Sequence, residues 1–165
     1  MEKQKYKELA MLSANGDSKS FARLYETIYR EMYYTAYYTL ADDADAVEVV
    51  TDAVKGTFKA IGKLHSEGAF RLHIMKSLCA GIKVKLREYA AEGRTIRYDP
   101  SNLRPNEDGI DIKQEFNRLP DTERLVSSLY AGGRFQPDEI AQFTGLSTST
   151  VKKKLERAMQ GFALD

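Results

Sequence analysis

The chain has 165 residues, with 25 Lys and Arg against 24 Asp and Glu, one Cys and no Trp. This length fits one domain or two small ones. One Cys and two scattered His predict neither a disulfide framework nor a metal site, so no cofactor is expected. No apolar stretch approaches the roughly 18–20 residues of a membrane span. The charged segment at residues 1–12 lacks the apolar core of a secretory signal, so we expect a cytoplasmic protein.

The net charge of +1 conceals a strong local segregation of charge. Residues 41–52 hold five acids and no base. Residues 70–89 hold five bases against one acid, and residues 148–159 hold four bases against one acid. Local charge sets the field that a partner meets. One acidic and two basic segments therefore predict at least two kinds of partner.

The first half of the chain has the apolar periodicity of helices. Aromatic residues recur at a spacing of four, at Phe21, Tyr25, Tyr29, Tyr33 and Tyr37. This spacing predicts one long amphipathic helix, capped by Asp17 or Ser18. Further helices are predicted over residues 44–64 and 70–86, with a break at residues 66–68. No long polar–apolar alternation predicts a sheet.

A stretch without helical periodicity, residues 91–111, contains two Pro and two Gly and predicts a flexible linker. It would separate a domain over residues 1–90 from a second domain over residues 112–165. In the second domain, helices are predicted over residues 112–119, 122–130 and 137–143, with a last one from Thr148 onward. The predicted fold class is all-α, with two small helical domains joined by the linker.

Residues 137–159 have the pattern of a helix-turn-helix. Its predicted core residues are Ile140, Ala141, Leu146, Val151 and Leu155. Gly145 lies where the turn needs a positive φ, and Ser147 is a suitable N-cap for the second helix. Hydroxyls on the outer face of that helix could reach base edges, and its cations could neutralise phosphates. The alternative is a plain helical hairpin with a solvated basic face.

Motifs in both halves carry a family resemblance. In the first half they are Ala14-Asn15-Gly16-Asp17 and the run Asp45-Ala46-Val47-Glu48-Val49-Val50-Thr51-Asp52-Ala53-Val54, followed by Phe58. In the second half they are Leu119-Pro120-Asp121-Thr122-Glu123-Arg124, Glu139-Ile140-Ala141, Gly145-Leu146-Ser147 and Thr150-Val151-Lys152. With these motifs the chain resembles an RNA polymerase sigma factor of the extracytoplasmic-function (ECF) type. The resemblance covers about residues 14–87 and 113–160.

The resemblance implies a function in transcription initiation and regulation, as a subunit that directs RNA polymerase to promoters. The implied contacts with the β′ clamp helices of core polymerase are Asp45, Glu48, Val49, Asp52 and Phe58. The implied contacts with the −10 element are Lys76, Lys83, Lys85 and Arg87. The implied contacts with the −35 element are Ser147, Thr148, Ser149, Thr150, Lys152, Lys153 and Arg157. An anti-sigma factor is a further implied partner, and a membrane is not.

Several positions depart from the family pattern. His73, Ala80 and Val84 stand where the family often has Trp, Asn and Asp, and Val47 and Thr51 replace Glu and Gln. Capturing a base from a single strand needs stacking surfaces and hydrogen-bonding groups. Two alternatives therefore stay open: a helix-turn-helix regulator that does not recruit polymerase, and a degenerate sigma-like interaction module without promoter-melting activity.

The remaining conspicuous residues have structural interpretations. The tyrosine stripe is interpreted as core and half-buried packing, and Cys79 as a small core residue. His65 and His73 are isolated, with no catalytic or metal role predicted. Since no catalytic triad, carboxylate pair or phosphate-binding loop is present, we do not predict an enzyme.

Overall fold

The computed structural model describes residues 1–97 and 117–161. The first group of helices is α1 (Lys3–Ala14), α2 (Ser18–Glu26), α3 (Tyr29–Leu40), α4 (Asp43–Ala60), a short 3-10 helix (Ile61–Lys63) and α5 (Glu67–Ala91). The second group is α6 (Asp121–Ala131), α7 (Pro137–Thr144) and α8 (Thr148–Gly161). No strand occurs in these ranges, so the all-α prediction is confirmed for them. Residues 98–111 of the predicted linker and 112–116 of the helix predicted after it lie outside the described residues.

The prediction of one long helix through the tyrosine stripe was wrong, because the chain turns between α2 and α3. Both the amide and the hydroxyl of Thr27 donate to the carbonyl of Leu24. Ile28 then takes φ −132° and is fully buried. The four-residue spacing persists across the turn, which is why the sequence pattern alone suggested a single helix.

Helix α1 was not among the predicted helices. It buries Tyr6, Leu9 and Ser13, while Met11 and Leu12 remain exposed. Exposed apolar residues beside buried ones blur the periodicity by which a helix is identified. The hydroxyl of Tyr6 donates to the carbonyl of Leu64 at 2.7 Å, which ties α1 to the segment after α4. Burial raises the pKa of Tyr6 to about 12, with the charge of Glu67 adding to the effect.

Three helix starts in the first group have side-chain caps, as the pattern of acids and hydroxyls favours. Asp17 accepts from the amide of Lys19, and Asp42 accepts from the amide of Asp45 at 2.9 Å. Ser66 accepts from the amide of Ala69 at 3.1 Å and starts α5. A side-chain cap satisfies one of the amides that a helix start leaves without a partner.

The two groups of helices pack on each other: α6 contacts α3, and α7 contacts α5. The approach at the end of α6 is close enough to require glycine. A Cβ on Gly132 would lie 2.6 Å from Cδ2 of Tyr38, and one on Gly133 would lie 2.7 Å from Oγ1 of Thr35. The apolar core therefore continues from the first group into the second, through residues such as Leu129.

None of the described helices combines the length and the apolar character needed to cross a membrane.

Candidate nucleic-acid and partner interfaces

Helices α7 and α8 are joined by a three-residue turn with the predicted conformation. Gly145 has φ +80°, and its amide donates to the carbonyl of Ala141. Ser147 caps α8 by accepting from the amide of Thr150 at 3.1 Å. Ile140 and Val151 are fully buried on the two sides of the turn. The predicted turn glycine and N-cap are therefore confirmed; of the predicted core residues, Ile140, Val151 and Leu155 are buried, and Ala141 and Leu146 are half-buried against the core.

The outer face of α8 carries most of the predicted −35 contacts. Thr148, Ser149, Lys152 and Lys153 are exposed, and Thr150 is half-buried. Within the described part of the chain, neither Lys152 nor Lys153 has an ion pair. The Ser147 hydroxyl lies 2.8 Å from that of Thr150 and 3.2 Å from that of Ser149, so these groups already bond with one another. On α8, these two lysines are thus the cations most available to an anionic partner.

The inner face of α8 carries a different set of charges. Glu123 on α6 is only 7% exposed, and its Oε1 accepts from Nζ of Lys154 at 3.1 Å. Nη1 of Arg157 lies 3.9 Å from the same oxygen, although the Arg157 side chain is 79% exposed. Burial raises the pKa of Glu123, but the hydrogen bond from Lys154 and the two positive charges outweigh this and leave the pKa lowered. The pair Glu123–Lys154 was not predicted, since the two residues are 31 positions apart.

The four predicted −10 contacts on α5 differ in whether other groups of the chain already engage them. Lys76 and Arg87 are exposed and have no ion pair among the described residues. Lys83 donates to the carbonyl of Thr144 at 3.3 Å, across the boundary between the two groups of helices. Lys85 is engaged by acids of α4. The assignment of these four residues to DNA stays a prediction.

Two of the three acids predicted to bind polymerase on α4, Asp45 and Glu48, lie beside Lys85. Its Nζ lies 2.8 Å from Glu48 and 3.7 Å from Asp45, with Glu88 at 3.8 Å. The pKa of Lys85 is raised mainly by the hydrogen bond to Glu48, and the charges of Asp45 and Glu88 add to the effect. Asp52 is exposed and has no ion pair among the described residues. Of the acids predicted to bind polymerase, Asp52 and the half-exposed Glu48 are therefore those that α4 presents outward.

The two apolar residues in the same predicted set face the interior. Val49 is 4% exposed, and a Cβ on Gly81 of α5 would be 3.6 Å from its side chain. Phe58 is half-buried, with its ring centroid 4.9 Å from that of Phe21. Both residues pack α4 against the other helices of the first group.

A second ionic cluster at the start of α4 was not predicted. Nη2 of Arg94, in the predicted linker, lies 2.9 Å from Asp42, and its Nη1 lies 3.5 Å from Asp45. The guanidinium also lies 4.0 Å from the ring centroid of Tyr89, whose hydroxyl donates to Asp45. Burial raises the pKa of Asp42, but the hydrogen bonds from the Asp45 amide and the Arg94 guanidinium outweigh this and leave the pKa lowered.

The tyrosine stripe and Cys79 have the packing roles that the sequence predicted, except at Tyr29. Tyr33, Tyr37 and Tyr38 are buried and Tyr25 and Tyr34 half-buried, while Tyr29 is 41% exposed. Cys79 is buried, and burial raises its pKa to about 12. His73 lies with Nδ1 3.0 Å from Oγ1 of Thr57.

The fold is similar to a solved structure, that of CnrH in complex with the cytosolic domain of CnrY. The match has a TM-score of 0.68 and covers 95% of this chain and 94% of that one, at 18% sequence identity. No protein-family model matches the chain. No curated protein matches its sequence. The likeness is therefore one of fold.

Proposed function

We propose that the chain is an ECF-type sigma factor, which binds core RNA polymerase through α4 and promoter DNA through α8. The observation that carries the proposal is the outer face of α8, where Lys152 and Lys153 are exposed and without ion pairs within the described residues. Cations in this setting suit the phosphates of a duplex. The family resemblance of the motifs and the fold likeness to CnrH support the same function.

On this proposal, the outward acids of α4 meet a basic surface of the polymerase. Glu48 and Asp52 are the exposed acids of the predicted set. Charge complementarity across an interface promotes encounter and penalises the wrong partner. The resemblance implies that the partner surface is the β′ clamp helices.

The proposed −10 contacts lie on α5. Lys76 and Arg87 are the exposed α5 cations that have neither an ion pair nor a side-chain hydrogen bond in the described ranges, whereas the exposed Lys83 donates to the carbonyl of Thr144. Ala80 is exposed but too small to stack on a base, and Val84 is 43% exposed without a hydrogen-bonding group. We propose that α5 contacts the DNA backbone through these cations, and that recognition of single bases there departs from the family pattern.

A regulatory protein of the anti-sigma type is a proposed partner. CnrH was solved with the cytosolic domain of a second protein, CnrY, and the present chain shares its fold. A protein domain that covers α4 or α8 would compete with polymerase or DNA. The proposed activity is binding and recognition, with no catalytic step carried by the chain itself.

The test is run-off transcription with core polymerase, preceded by co-migration of the full chain with core enzyme. The double variant E48K/D52K should weaken core binding by about tenfold or more, because like charges brought together across an interface cost several kcal/mol. It should leave duplex DNA binding in place. The control E8K changes an exposed acid of α1 and should bind polymerase as the unchanged chain does.

Other outcomes select the alternatives. DNA binding without co-migration with polymerase would indicate a helix-turn-helix regulator. Binding of polymerase or another protein without any DNA binding would indicate an interaction module. A variant E48K/D52K that binds core polymerase like the unchanged chain would remove α4 from the proposed contact.

A further inference from the structure

Three consecutive lysines in α8 have different surroundings. Lys152 and Lys153 are exposed, whereas Lys154 is half-buried and donates to Glu123 of α6 at 3.1 Å. Successive residues of an α-helix differ by about 100° around its axis. The three side chains therefore leave the helix in separate directions, and only that of Lys154 is directed toward α6.

Apart from Arg157, whose Nη1 lies 3.9 Å from the same Glu123 oxygen, the face of α8 that carries Lys154 is apolar. Val151, Leu155 and Ala158 are buried on that side. Apolar contacts are not directional and leave some freedom for a helix to rotate or slide. A charged hydrogen bond has a narrow range of length and angle. The bond between Lys154 and Glu123, at 3.1 Å, is a directional contact on this face and is shorter than the 3.9 Å approach of Arg157.

Glu123 is suited to hold that bond. It lies in the first turn of α6, where a negative charge is favoured by the helix dipole. It is 7% exposed, so water competes weakly for its oxygens. A buried carboxylate without its cation would be strongly unfavourable. The pair therefore resists any rotation of α8 that pulls Lys154 away.

We propose that Glu123 and Lys154 are a positioning pair that sets the rotation of α8 on α6, so that Lys152 and Lys153 point toward DNA. Lys154 itself makes no phosphate contact. This inference rests on the proposed function, because it assigns a role within the same DNA-binding helix. On this proposal, Lys152 and Lys153 contact DNA, and Lys154 holds α8 in the orientation that allows it.

Salt dependence separates a phosphate contact from a positioning residue. Each phosphate that a cation neutralises adds about 0.9 to the magnitude of the slope of log affinity against log salt concentration. A positioning residue changes the affinity through geometry and leaves the number of released counterions the same. The probe is the duplex that the unchanged full-length chain enriches from a randomised pool of duplex DNA.

The matched variants are K153M and K154M, since Met keeps most of the apolar stem of Lys. K153M should reduce the magnitude of the slope by about 0.9. K154M should weaken binding by about threefold or more through lost positioning, with the slope unchanged. E123Q, which removes the charge but keeps the shape, should act like K154M and also leave the slope unchanged.

A slope that falls in K154M as it does in K153M would overturn the positioning role and leave the proposed function standing. The positioning role would also be overturned if K154M and E123Q both bind with the affinity of the unchanged chain. If the unchanged chain enriches no duplex, DNA recognition fails and the positioning pair fails with it. Circular dichroism of each variant confirms that the helices are retained, so that a loss of affinity is assigned to the site.

Discussion

The basic helices α5 and α8 each combine cations that neighbouring groups engage with cations that stay exposed. On α5, Lys85 is engaged by the acids of α4, and Lys83 donates to the carbonyl of Thr144. On α8, Lys152 and Lys153 are exposed and have no ion pair within the described residues. A run of bases in a sequence therefore overstates the field that a partner meets wherever the fold supplies acids nearby.

The two helices also contain two kinds of ion pair, one exposed to water and one shielded from it. Lys85 lies beside Glu48, whose side chain is 53% exposed, and such pairs contribute little to stability because water competes with them. Lys154 lies beside Glu123, whose side chain is 9% exposed, and loss of one partner there leaves a shielded charge. Position in the fold decides which pairs hold structure.

The largest expected effect is on the packing that joins the two groups of helices. Gly132→Ala should lower the free energy of unfolding by about 1–3 kcal/mol, the usual cost of overpacking. Its Cβ would lie 2.6 Å from Cδ2 of Tyr38 and 2.8 Å from the carbonyl oxygen of Ser128. Urea unfolding followed by circular dichroism measures the change.

Gly56→Ala is the matched control, because a Cβ at Gly56 of α4 meets nothing within 4 Å. It should be neutral or stabilising by up to about 1 kcal/mol, since Ala favours a helix over Gly. If Gly132→Ala were as well tolerated as Gly56→Ala, the close approach of α6 to α3 would be refuted.

The contrast between Lys152 of α8 and Lys85 of α5 predicts unequal effects on DNA affinity. Lys152→Met should reduce the magnitude of the salt slope by about 0.9, because one phosphate contact is lost. Lys85→Met should change the slope by clearly less, because the acids of α4 already engage its ammonium. Fluorescence anisotropy across a salt series gives both slopes. Equal slopes for the two variants would contradict the comparison.

Acid should weaken the attachment of α8 through Glu123. The pKa of Glu123 in the folded chain is below its ordinary value of 4.5, since the hydrogen bond from Lys154 and the nearby charges outweigh the effect of burial. Its contribution to stability is therefore present above about pH 4.5 and is lost as the pH falls through the lowered pKa.

The thermal midpoint of the unchanged chain should accordingly fall more steeply than that of Glu123→Gln as the pH is lowered through this range. Glu156→Gln removes an exposed acid of α8 that has no ion pair with a described residue, and it should follow the unchanged chain. Parallel curves for the unchanged chain and Glu123→Gln would rule out the proposed contribution.

The smallest expected effect concerns the exposed pairs of Lys85. Lys85→Met should change the free energy of unfolding by about 0–1 kcal/mol, because its acidic partners Glu48 and Glu88 are more than half exposed. Lys76→Met, at an exposed α5 lysine without such partners in the described ranges, gives the baseline. A loss of unfolding free energy well above this range, measured in urea, would show that the α4–α5 ion pairs stabilise the fold.

Local features of the fold were predictable from the sequence. Ser147 caps α8 and Gly145 adopts a positive φ, because both features depend on residues within a few positions of each other. The turn at Ile28 was not predictable in the same way. The apolar spacing continues through it, and burial against the rest of the core determines where the chain bends.

What the sequence by itself determined is therefore the helical class, the caps at Asp17 and Ser147, the α7–α8 turn and the positions of the charges. What only the tertiary structure decided is which charges are paired: Lys154 with Glu123, Arg94 with Asp42, and Lys85 with Glu48. The physical reason is distance along the chain. Arg94 and Asp42 are 52 residues apart, and no local pattern encodes a contact that exists only after the helices have packed.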